Sequence, residues 1–530
     1  MLKRRELLQL LGATALVYSG AGNAKPVAVK PFRHYPFDPV TAENFQQKLF
    51  VPVGSGPFGI LDVAGPLRMR ATVASLAILP GKSSPFLLYQ TEQSGKAYQN
   101  PILSMESGAN LKVTLVNELP EPTIIHWHGL QTPAKMDGHP ASTVAPGGVF
   151  EYDFKVPNRA GTYWYHTHAH NLTAKQAYNG LASFFLVDDE DQRNLATSVD
   201  LKLGETDLPL VIQDKQFDAQ GKLHYKPNGQ EAMMGWLGDI ILANLTPNAY
   251  QAVTPRTYRL RILNGSNARI YRLAFLKGKD RLSYIVIGTD GGLLDRPQTV
   301  SEAFLAPGER LDVLLDAGQA KPGDDIFLKS LAFDAMENEG DMGSMPGMGM
   351  STSRLEMGAE FNILKLSVAA GERVAEKLPK TLSQIAPIRL DGAIQRSIKL
   401  SLKGMDFLIN GRKFNMDEIA FDVQRGAREI WTISNPKVGM PHPIHLHGFA
   451  FQVLERLHSP RQITVLAKFG KGRTVSDLGW KDTVLVWPGE TVRIAIDFTH
   501  AFPGDQTFMI HCHNLEHEDA GMMINYRVTG

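Results

Sequence analysis

Three stretches of this 530-residue chain alternate apolar and polar side chains and end at an asparagine. Because successive side chains of a β-strand point to opposite faces, the alternation predicts a half-buried strand in each stretch. A Pro-Gly turn and a further apolar stretch, which predicts another strand, follow each of them. The stretches and their turns are 111–117 with 146–147, 258–264 with 307–308, and 429–435 with 488–489. The same β-unit therefore occurs three times.

The repeated unit predicts an all-β protein built from three tandem sandwich domains, and helical periodicity is scarce. A chain of this length is also too long for a single hydrophobic core. Charged residues near position 190 and small residues near 380 interrupt the strand pattern. We therefore expect domains at 40–188, 190–380 and 385–530.

The first 24 residues have the composition of an export signal. Lys3-Arg4-Arg5 precedes a short apolar run, and small residues follow at 22–24. The adjacent arginines resemble the twin-arginine export signal of bacteria, although a chance pair in an ordinary signal peptide is the alternative. No later segment approaches the roughly 18 apolar residues of a membrane span. We expect a soluble periplasmic protein that uses the twin-arginine export machinery, without membrane insertion.

Charge and cysteine content exclude several other classes. The formal net charge is +1, and no long basic run is present, so we expect no binding to nucleic acid. We also expect a monomer. Cys512 is the only cysteine, which excludes an internal disulfide. It is either a metal ligand or a buried, inert thiol.

Ten of the sixteen histidines fall in four short clusters, two in the first repeat and two in the third. The second repeat has none of these clusters. Within both histidine-bearing repeats, one cluster follows the asparagine and the other follows the Pro-Gly strand. The clusters are His126-Trp127-His128, His166-Thr167-His168, His442-Pro443-Ile444-His445-Leu446-His447, and His511-Cys512-His513 with His517. The first and third domains therefore offer matched half-sites.

The spacing within the clusters indicates metal binding. Residues two apart in a strand share a face, so each His-x-His pair directs two imidazoles toward one point. A single pair could be a core histidine with an exposed neighbour, but four symmetric pairs point to a cluster of about three ions. His511 and His513 should face away from Cys512. With His517 and Met522, Cys512 offers the soft ligand types that select copper.

These motifs resemble the four copper-binding motifs of the multicopper oxidases, over essentially the whole mature chain. The resemblance implies three cupredoxin-like Greek-key β-sandwich domains and four coppers per chain. It assigns His442, Cys512, His517 and axial Met522 to type 1 copper, His126 and His445 to type 2, and two trios to the type 3 pair. The trios are His128, His166 and His513 for one copper, and His168, His447 and His511 for the other.

The resemblance also implies a reaction. A reducing substrate gives single electrons to type 1 copper, Cys512 passes them to its flanking histidines, and dioxygen is reduced to water. Water formation needs protons, and the candidate acids are Asp137, eleven residues after His126, and Glu518, next to His517. The alternative for both is a surface carboxylate.

Methionines suggest the substrate. Six of them lie in a Gly/Ser-rich stretch of the second domain, where thioethers suit Cu(I), and the alternative is a disordered loop. The stretch resembles the methionine-rich insert of bacterial cuprous oxidases, and Met440 matches a substrate-copper position there. Val438 departs from that subfamily, which has an aspartate there, so either another acid, such as Asp334 or Asp341, serves electron entry or the physiological donor differs. The six are Met336, Met342, Met345, Met348, Met350 and Met357.

We therefore expect a multicopper oxidase that oxidises Cu(I), phenols or aromatic amines with dioxygen, in copper tolerance. One alternative is a laccase with a purely organic physiological substrate. Another is a non-catalytic protein on the same fold, either a copper-sequestering module or a cell-division scaffold. A scaffold has no reason to keep a complete ligand set, and a sequestering protein needs neither Cys512 nor Asp137.

Overall fold

A computed structural model describes residues 32–36, 45–63, 65–338, 351–374 and 376–530. These residues form six β-sheets, two for each of three sandwiches. Residues 34–530 belong to one compact unit. The predicted signal segment lies outside the described residues, as do Asp341 and four methionines of the methionine-rich stretch, Met342, Met345, Met348 and Met350.

The first sandwich has a six-stranded sheet in the order β10-β8-β4-β5-β6-β2 and a five-stranded sheet in the order β3-β7-β12-β11-β9. The strands up to residue 188 are β1 (Gln47–Lys48), β2 (Gly56–Pro57), β3 (Ile60–Asp62), β4 (Leu67–Leu76), β5 (Ser84–Gln93), β6 (Lys96–Gln99), β7 (Ile102–Glu106), β8 (Asn110–Asn117), β9 (Ile125–His126), β10 (Val149–Lys155), β11 (Gly161–Thr167) and β12 (Ala182–Asp188).

The second sandwich also includes β1, which pairs in parallel with β17 (Ala249–Val253) although β1 precedes the first sandwich in the chain. Its sheets have the orders β1-β17-β26-β25-β19-β20, with β23 on β19, and β16-β15-β13-β18-β24-β21-β22, with β14 on β13. Its other strands are β13 (Asp207–Phe217), β14 (Leu223–His224), β15 (Ile240–Ala243), β16 (Thr246–Pro247), β17 (Ala249–Val253), β18 (Thr257–Asn264), β19 (Tyr271–Lys277), β20 (Asp280–Leu282), β21 (Tyr284–Thr289), β22 (Gly292–Val300), β23 (Ala303–Leu305), β24 (Arg310–Asp316), β25 (Asp325–Ser330) and β26 (Phe361–Val368).

The third sandwich has two five-stranded sheets in the orders β28-β27-β30-β34-β32 and β29-β36-β35-β31-β33. Its strands are β27 (Ile394–Lys403), β28 (Asp406–Ile409), β29 (Ile419–Gln424), β30 (Arg428–Ser434), β31 (His442–Leu446), β32 (Phe451–Leu457), β33 (Thr483–Val486), β34 (Thr491–Asp497), β35 (Gln506–Cys512) and β36 (Met523–Thr529). The all-β, cupredoxin-like prediction is confirmed. The predicted domain limits fall between β12 and β13 and between β26 and β27.

Helices are short and connect strands. None of those in the described ranges is long and apolar enough to cross a membrane. The α-helices are α1 (Thr173–Tyr178), α2 (Glu190–Val199), α3 (Gly229–Met234), α4 (Arg461–Thr464) and α5 (Leu515–Asp519), and 3₁₀ turns lie at Ala134–Met136, Pro140–Ser142, Ala317–Gln319 and Val475–Asp477.

The three repeated units have the same internal pairing. The strand that precedes or ends at the asparagine pairs antiparallel with the strand after the Pro-Gly turn, as β8 with β10, β18 with β24, and β30 with β34. In each unit the asparagine amide donates to a backbone carbonyl, which ties the following loop to the sandwich. The donor–acceptor distances are 2.8 Å for Asn117 to Val144, 3.0 Å for Asn264 to Leu305, and 3.0 Å for Asn435 to Val486.

β18 is buried on both faces, so the prediction of a half-buried strand was wrong there. Its alternating arginines suggested a face in solvent, but both are buried in polar contacts. Arg261 donates to both carboxylate oxygens of Asp207, at 2.8 and 2.7 Å. Arg259 donates to Gln192 of α2 at 2.7 Å and to Asp312 at 2.5 Å. Helix α2 and these carboxylates cover the face that alternation alone assigns to water.

Candidate metal centre

The four histidine clusters lie on two pairs of adjacent strands. In the first sandwich β9 pairs with β11, which sets His126 opposite His166. In the third sandwich β31 pairs with β35, which sets His445 opposite His511. The side-chain amide of Asn435 holds the carbonyl of Met440 at 2.9 Å, just before β31 begins. The repeated β-unit thus places matched pairs of imidazoles on adjacent strands of the first and third sandwiches.

The imidazoles of the first and third sandwiches lie in direct contact with one another. Nε2 of His126 lies 3.4 Å from Nε2 of His445, and the His126 ring stacks on His447 with centroids 3.9 Å apart. Nε2 of His168 lies 3.5 Å from Nε2 of His511. All eight side chains of this histidine cluster are buried, and they belong to His126, His128, His166, His168, His445, His447, His511 and His513. The convergence predicted for the first and third domains is present in the structure.

Three groups of imidazoles each bring one ring nitrogen per residue within 4.8 Å of one another. One group is the trio assigned to a type 3 copper, and the other two join residues assigned to different coppers. The groups are His168, His447 and His511; His126, His128 and His166; and His126, His445 and His447. Only the first group coincides with an assigned ligand set, and the ligand assignment stays a prediction.

The nitrogens that face away from the cluster contact oxygen atoms. Nδ1 of His126 contacts the backbone oxygen of Asp137 at 2.6 Å, and Nδ1 of His445 contacts that of Asp482 at 2.8 Å. Nδ1 of His166 likewise contacts the Thr167 oxygen at 2.8 Å. Such contacts fix the ring orientation and leave Nε2 to face the metal.

His128 has the opposite orientation. Its Nδ1 lies 3.3 Å from Nε2 of His166, inside the cluster, whereas its Nε2 lies 3.0 Å from Oδ1 of Asp482. Its ring also stacks on His445, with centroids 3.7 Å apart. The alternation of side chains along a strand gives no information on which ring nitrogen points inward, so the sequence could not predict this reversal.

The cluster suits neutral imidazoles that bind metal. Burial lowers the pKa of His126 and His447 well below its usual value and lowers that of His166 to about 3. Nε2 of His513 is buried and has no hydrogen-bond partner among the described residues. An unpaired polar atom in such a position is costly unless a ligand satisfies it. The donor set therefore fits a group of copper ions.

A second group lies on the other side of β35. Sγ of Cys512 lies 3.5 Å from Nδ1 of His442 and 3.6 Å from Nδ1 of His517, and the two nitrogens are 3.2 Å apart. All three side chains are buried. Two imidazoles and a thiol in trigonal contact are the ligands of blue-copper sites. Burial raises the pKa of the Cys512 thiol, and a bound metal would hold the thiolate.

Residues around this Cys–His–His group fix it from two directions. Nε2 of His517 contacts the backbone oxygen of Met233 in α3 at 2.8 Å, and Phe407 stacks on the His517 ring with centroids 4.0 Å apart. Met522, the predicted axial ligand, is fully buried, and its backbone oxygen accepts from the Cys512 amide at 3.0 Å. The second sandwich therefore holds one proposed type 1 ligand in place.

Both predicted acids touch the cluster rather than the surface. Oδ2 of Asp137 lies 2.6 Å from Nδ1 of His447, and burial raises the pKa of Asp137 to about 7. Glu518 lies 3.2 Å from Nδ1 of His511 and 3.5 Å from that of His168. Burial raises the pKa of Glu518, but the two neighbouring imidazoles outweigh it and lower the value to about 2.

The predicted substrate residues have mixed outcomes. Met440 is buried in the same apolar cluster as Cys512, and Met336 packs against that cluster. Met357 instead contacts the amide of Ile270 in the second sandwich, at 3.4 Å. The carboxylate of Asp334 accepts from the Met336 amide at 2.9 Å, within its own turn. Val438 is exposed.

Buried charged residues near the cluster were missing from the sequence prediction. Asp482 contacts His128, and Arg310 of the second sandwich donates to Asp482. Glu516 accepts from Tyr225 and Asn267 of the second sandwich, at 3.0 and 2.7 Å. The only clue to Asp482 is the Lys481-Asp482 pair directly before an apolar strand.

Comparison with known proteins identifies the family. Residues 91–192 and 387–530 match two models of the multicopper oxidase family. A multicopper oxidase of Staphylococcus haemolyticus is 32% identical over 432 residues, 81% of this chain and 82% of that protein. The chain therefore belongs to the multicopper oxidases, oxidoreductases that use copper.

Two further relatives show the range of the family. The crystal structure of the McoA multicopper oxidase from the hyperthermophile Aquifex aeolicus superposes with a TM-score of 0.80. It is 39% identical, and the match covers 92% of this chain and all of that one. A cell division protein FtsP of Xenorhabdus nematophila is 31% identical over 80% of this chain and 82% of that protein.

Proposed function

We propose that the protein oxidises Cu(I), and with less selectivity phenols and aromatic amines, while it reduces dioxygen to water. The main support is the position of Cys512 between two groups of side chains. Its sulfur contacts His442 and His517. The residue directly before it in the chain, His511, lies in the histidine cluster, 3.0 Å from His447. Copper held by these groups, one type 1, one type 2 and a type 3 pair, supplies one-electron transfer and the four-electron reduction of dioxygen.

Side chains of this protein would supply the protons. The carboxylate of Asp137 is buried against His447, and that of Glu518 against His511. Asp137, whose pKa burial raises to about 7, can hold a proton beside the cluster without exposure to bulk water, which suits a general acid. Glu518, whose pKa the neighbouring imidazoles lower to about 2, is ionised and suits the acceptor in a proton relay. Imidazoles that bind copper lack a free nitrogen for this task, so we assign proton transfer to the two acids.

Methionine side chains support Cu(I) as the substrate. Met440 and Met233 are buried in the same apolar cluster as Cys512, and Met234 and Met336 pack against that cluster. Thioethers are soft ligands that bind Cu(I) in preference to harder ions. We include Met342, Met345, Met348 and Met350 of the second domain in this Cu(I)-binding set. Oxidation of Cu(I) after export to the periplasm would serve copper tolerance.

Oxygen uptake with Cu(I) and with a phenol tests the substrate assignment. Met440→Leu removes the sulfur at similar volume, and we expect kcat/KM for Cu(I) to fall about tenfold while that for the phenol changes little. Met69→Leu, in the core of the first sandwich, is the control and should match wild type. An unchanged Cu(I) rate in Met440→Leu, or an equal loss with both substrates, contradicts the assignment.

A scaffold without catalysis is the second candidate, because FtsP of Xenorhabdus nematophila is a relative of similar identity. The ligands favour the oxidase. Eight buried imidazoles, two of which have ring nitrogens without a hydrogen-bond partner among the described residues, are costly in a protein that binds no metal. A purified protein that contains no copper after loading would favour the scaffold.

A further inference from the structure

The second sandwich provides no proposed ligand of the type 1, type 2 or type 3 coppers, yet its Pro307-Gly308 turn lies against the histidine cluster. Gly308 has a φ of +83°, and a Cβ placed on it would lie 3.0 Å from Cγ and Cδ2 of His513. Such a contact is tighter than nearly all Cβ contacts, and the left-handed backbone also favours glycine, so a side chain here would press on the His513 ring. The backbone of the turn therefore forms one wall of the space that the His513 ring occupies.

Arg310 follows two residues later and is completely buried. Its guanidinium has five N–H donors, and each has an acceptor. Nε donates to the oxygen of Thr162 at 2.9 Å, and Nη1 donates to Gly308 at 2.8 Å and to Oδ1 of Asp482 at 2.9 Å. Nη2 donates to the oxygen of Asp290 at 3.0 Å and to Oδ2 of Asp482. This bidentate pair fixes the Asp482 carboxylate in one orientation.

The Asp482 carboxylate, fixed in this way, in turn orients the ring of His128. Its Oδ1 lies 3.0 Å from Nε2 of His128, so the other ring nitrogen, Nδ1, is the one that faces the cluster. The backbone at Gly129 also lies close to the Arg310–Asp482 ion pair. A Cβ on Gly129 would lie 2.5 Å from Oδ2 of Asp482 and 2.9 Å from Nη2 of Arg310. The glycine that follows His128 thus makes room for the ion pair.

We propose that the Gly308–Arg310 turn is a positioning element of the copper cluster. It fixes His513 by direct contact and His128 through Asp482, and these are two of the three side chains assigned to one type 3 copper. The third, His166, is held within the first sandwich by the Thr167 oxygen. The inference rests on the proposed ligand assignment, and it makes the second sandwich part of the copper site.

Two glycine-to-alanine variants at equivalent turns test the proposal. Gly147 occupies the same place in the first repeat, with a φ of +78°, and a Cβ there would have no atom within 4 Å. Both substitutions impose a similar backbone strain, because both glycines are left-handed. Only Gly308→Ala also presses on a proposed ligand, so Gly147→Ala is the matched control.

The readouts are the copper content of each protein against a graded chelator, and electron paramagnetic resonance of the Cu(II) form. A coupled type 3 pair gives no resonance signal, whereas a single remaining type 3 ion does. We expect Gly308→Ala to bind one copper at least about tenfold more weakly, with a new resonance signal and unchanged blue absorption. Gly147→Ala should match wild type.

If Gly308→Ala has the copper content of wild type and its type 3 pair gives no resonance signal, the proposal is overturned. A wild type that binds no copper would instead contradict the proposed function. If Gly308→Ala fails to fold, Asp482→Asn replaces it, with Asp477→Asn as control. Asp477 is a buried carboxylate paired with Arg456 at 2.7 and 2.8 Å. We expect only Asp482→Asn to weaken one copper site, and equal copper content in the two variants would overturn the proposal.

Discussion

His511 and Cys512 are consecutive residues of β35 whose side chains leave the strand on opposite sides. The His511 ring lies in the histidine cluster, 3.0 Å from Nε2 of His447, and the Cys512 sulfur lies 3.5 Å from Nδ1 of His442. One peptide unit therefore separates two distinct groups of copper-binding side chains. An electron that arrives at Cys512 has a short covalent route to the cluster.

Cys512→Ser tests this route. The serine oxygen is a poor substitute for the thiolate, so we expect no blue absorption, no turnover, and three coppers per chain in place of the four typical of the family. The sulfur makes no structural bond, so the variant should remain folded. Visible spectra, metal analysis and oxygen uptake are the measurements.

Met522→Leu is the matched control for that variant, because it alters only the proposed axial ligand. We expect it to keep the blue colour and turnover, with a changed redox potential, since an axial ligand tunes the potential. Turnover retained in Cys512→Ser would remove the cysteine from the electron route.

Asp137→Asn should separate orientation from proton transfer. The amide oxygen can still accept from Nδ1 of His447, but the side chain can no longer carry a proton. We expect reoxidation of the reduced enzyme by dioxygen to slow about 100-fold, with anaerobic bleaching of the blue band unchanged. Stopped-flow spectroscopy measures both steps.

The exposed Asp153 provides the control for Asp137, and Asp153→Asn should behave as wild type in both steps. Slowed bleaching in Asp137→Asn, rather than slowed reoxidation, would show that the carboxylate acts on electron transfer.

Lys215 should make stability depend on pH. Burial lowers its pKa to about 7, so between pH 7 and its normal pKa the unfolded chain binds more protons than the folded one. The unfolding free energy therefore rises with pH in this window, by about 2 kcal/mol from pH 7 to 9. Lys215→Met removes that contribution. Urea unfolding of the copper-free protein at both pH values measures it.

Lys112→Met, at an exposed position of β8, serves as the comparison and should keep the wild-type pH dependence. If Lys215→Met and wild type show the same dependence, Lys215 is charged in the folded protein at pH 7.

Replacement of Met342, Met345, Met348 and Met350 by leucine tests the remaining Cu(I)-binding set. We expect a several-fold lower kcat/KM for Cu(I), because leucine lacks the soft sulfur donor, and no loss with a phenol. Oxygen uptake with each substrate measures the effect. Equal rates for wild type and the fourfold variant would assign the segment no part in Cu(I) binding.

Local patterns were enough to predict much of this molecule. The strands around Asn117, Asn264 and Asn435 begin and end within one residue of the predicted limits, because alternation and Pro-Gly turns are short-range properties. The histidine clusters were predicted to converge because spacing within a strand fixes the direction of side chains.

Long-range charge pairing could not be predicted in this way. Arg310 and Asp482 are 172 positions apart, and neither sequence neighbourhood indicates its partner. Arg259 and Arg261 are two residues apart, a spacing typical of the solvent-exposed face of a strand, but Asp207 and α2 cover them. The pairing of β1 with β17 likewise joins an N-terminal segment to the second sandwich rather than the first.

The central claim is that one chain links a one-electron copper site to a cluster that reduces dioxygen. Anaerobic copper loading, followed by metal analysis, visible spectra and oxygen uptake with Cu(I) and a phenol, tests it most directly. We predict four coppers per chain, a blue protein, and four donor molecules oxidised for each dioxygen without release of peroxide. A loaded protein that is colourless and consumes no oxygen with either donor would contradict the claim.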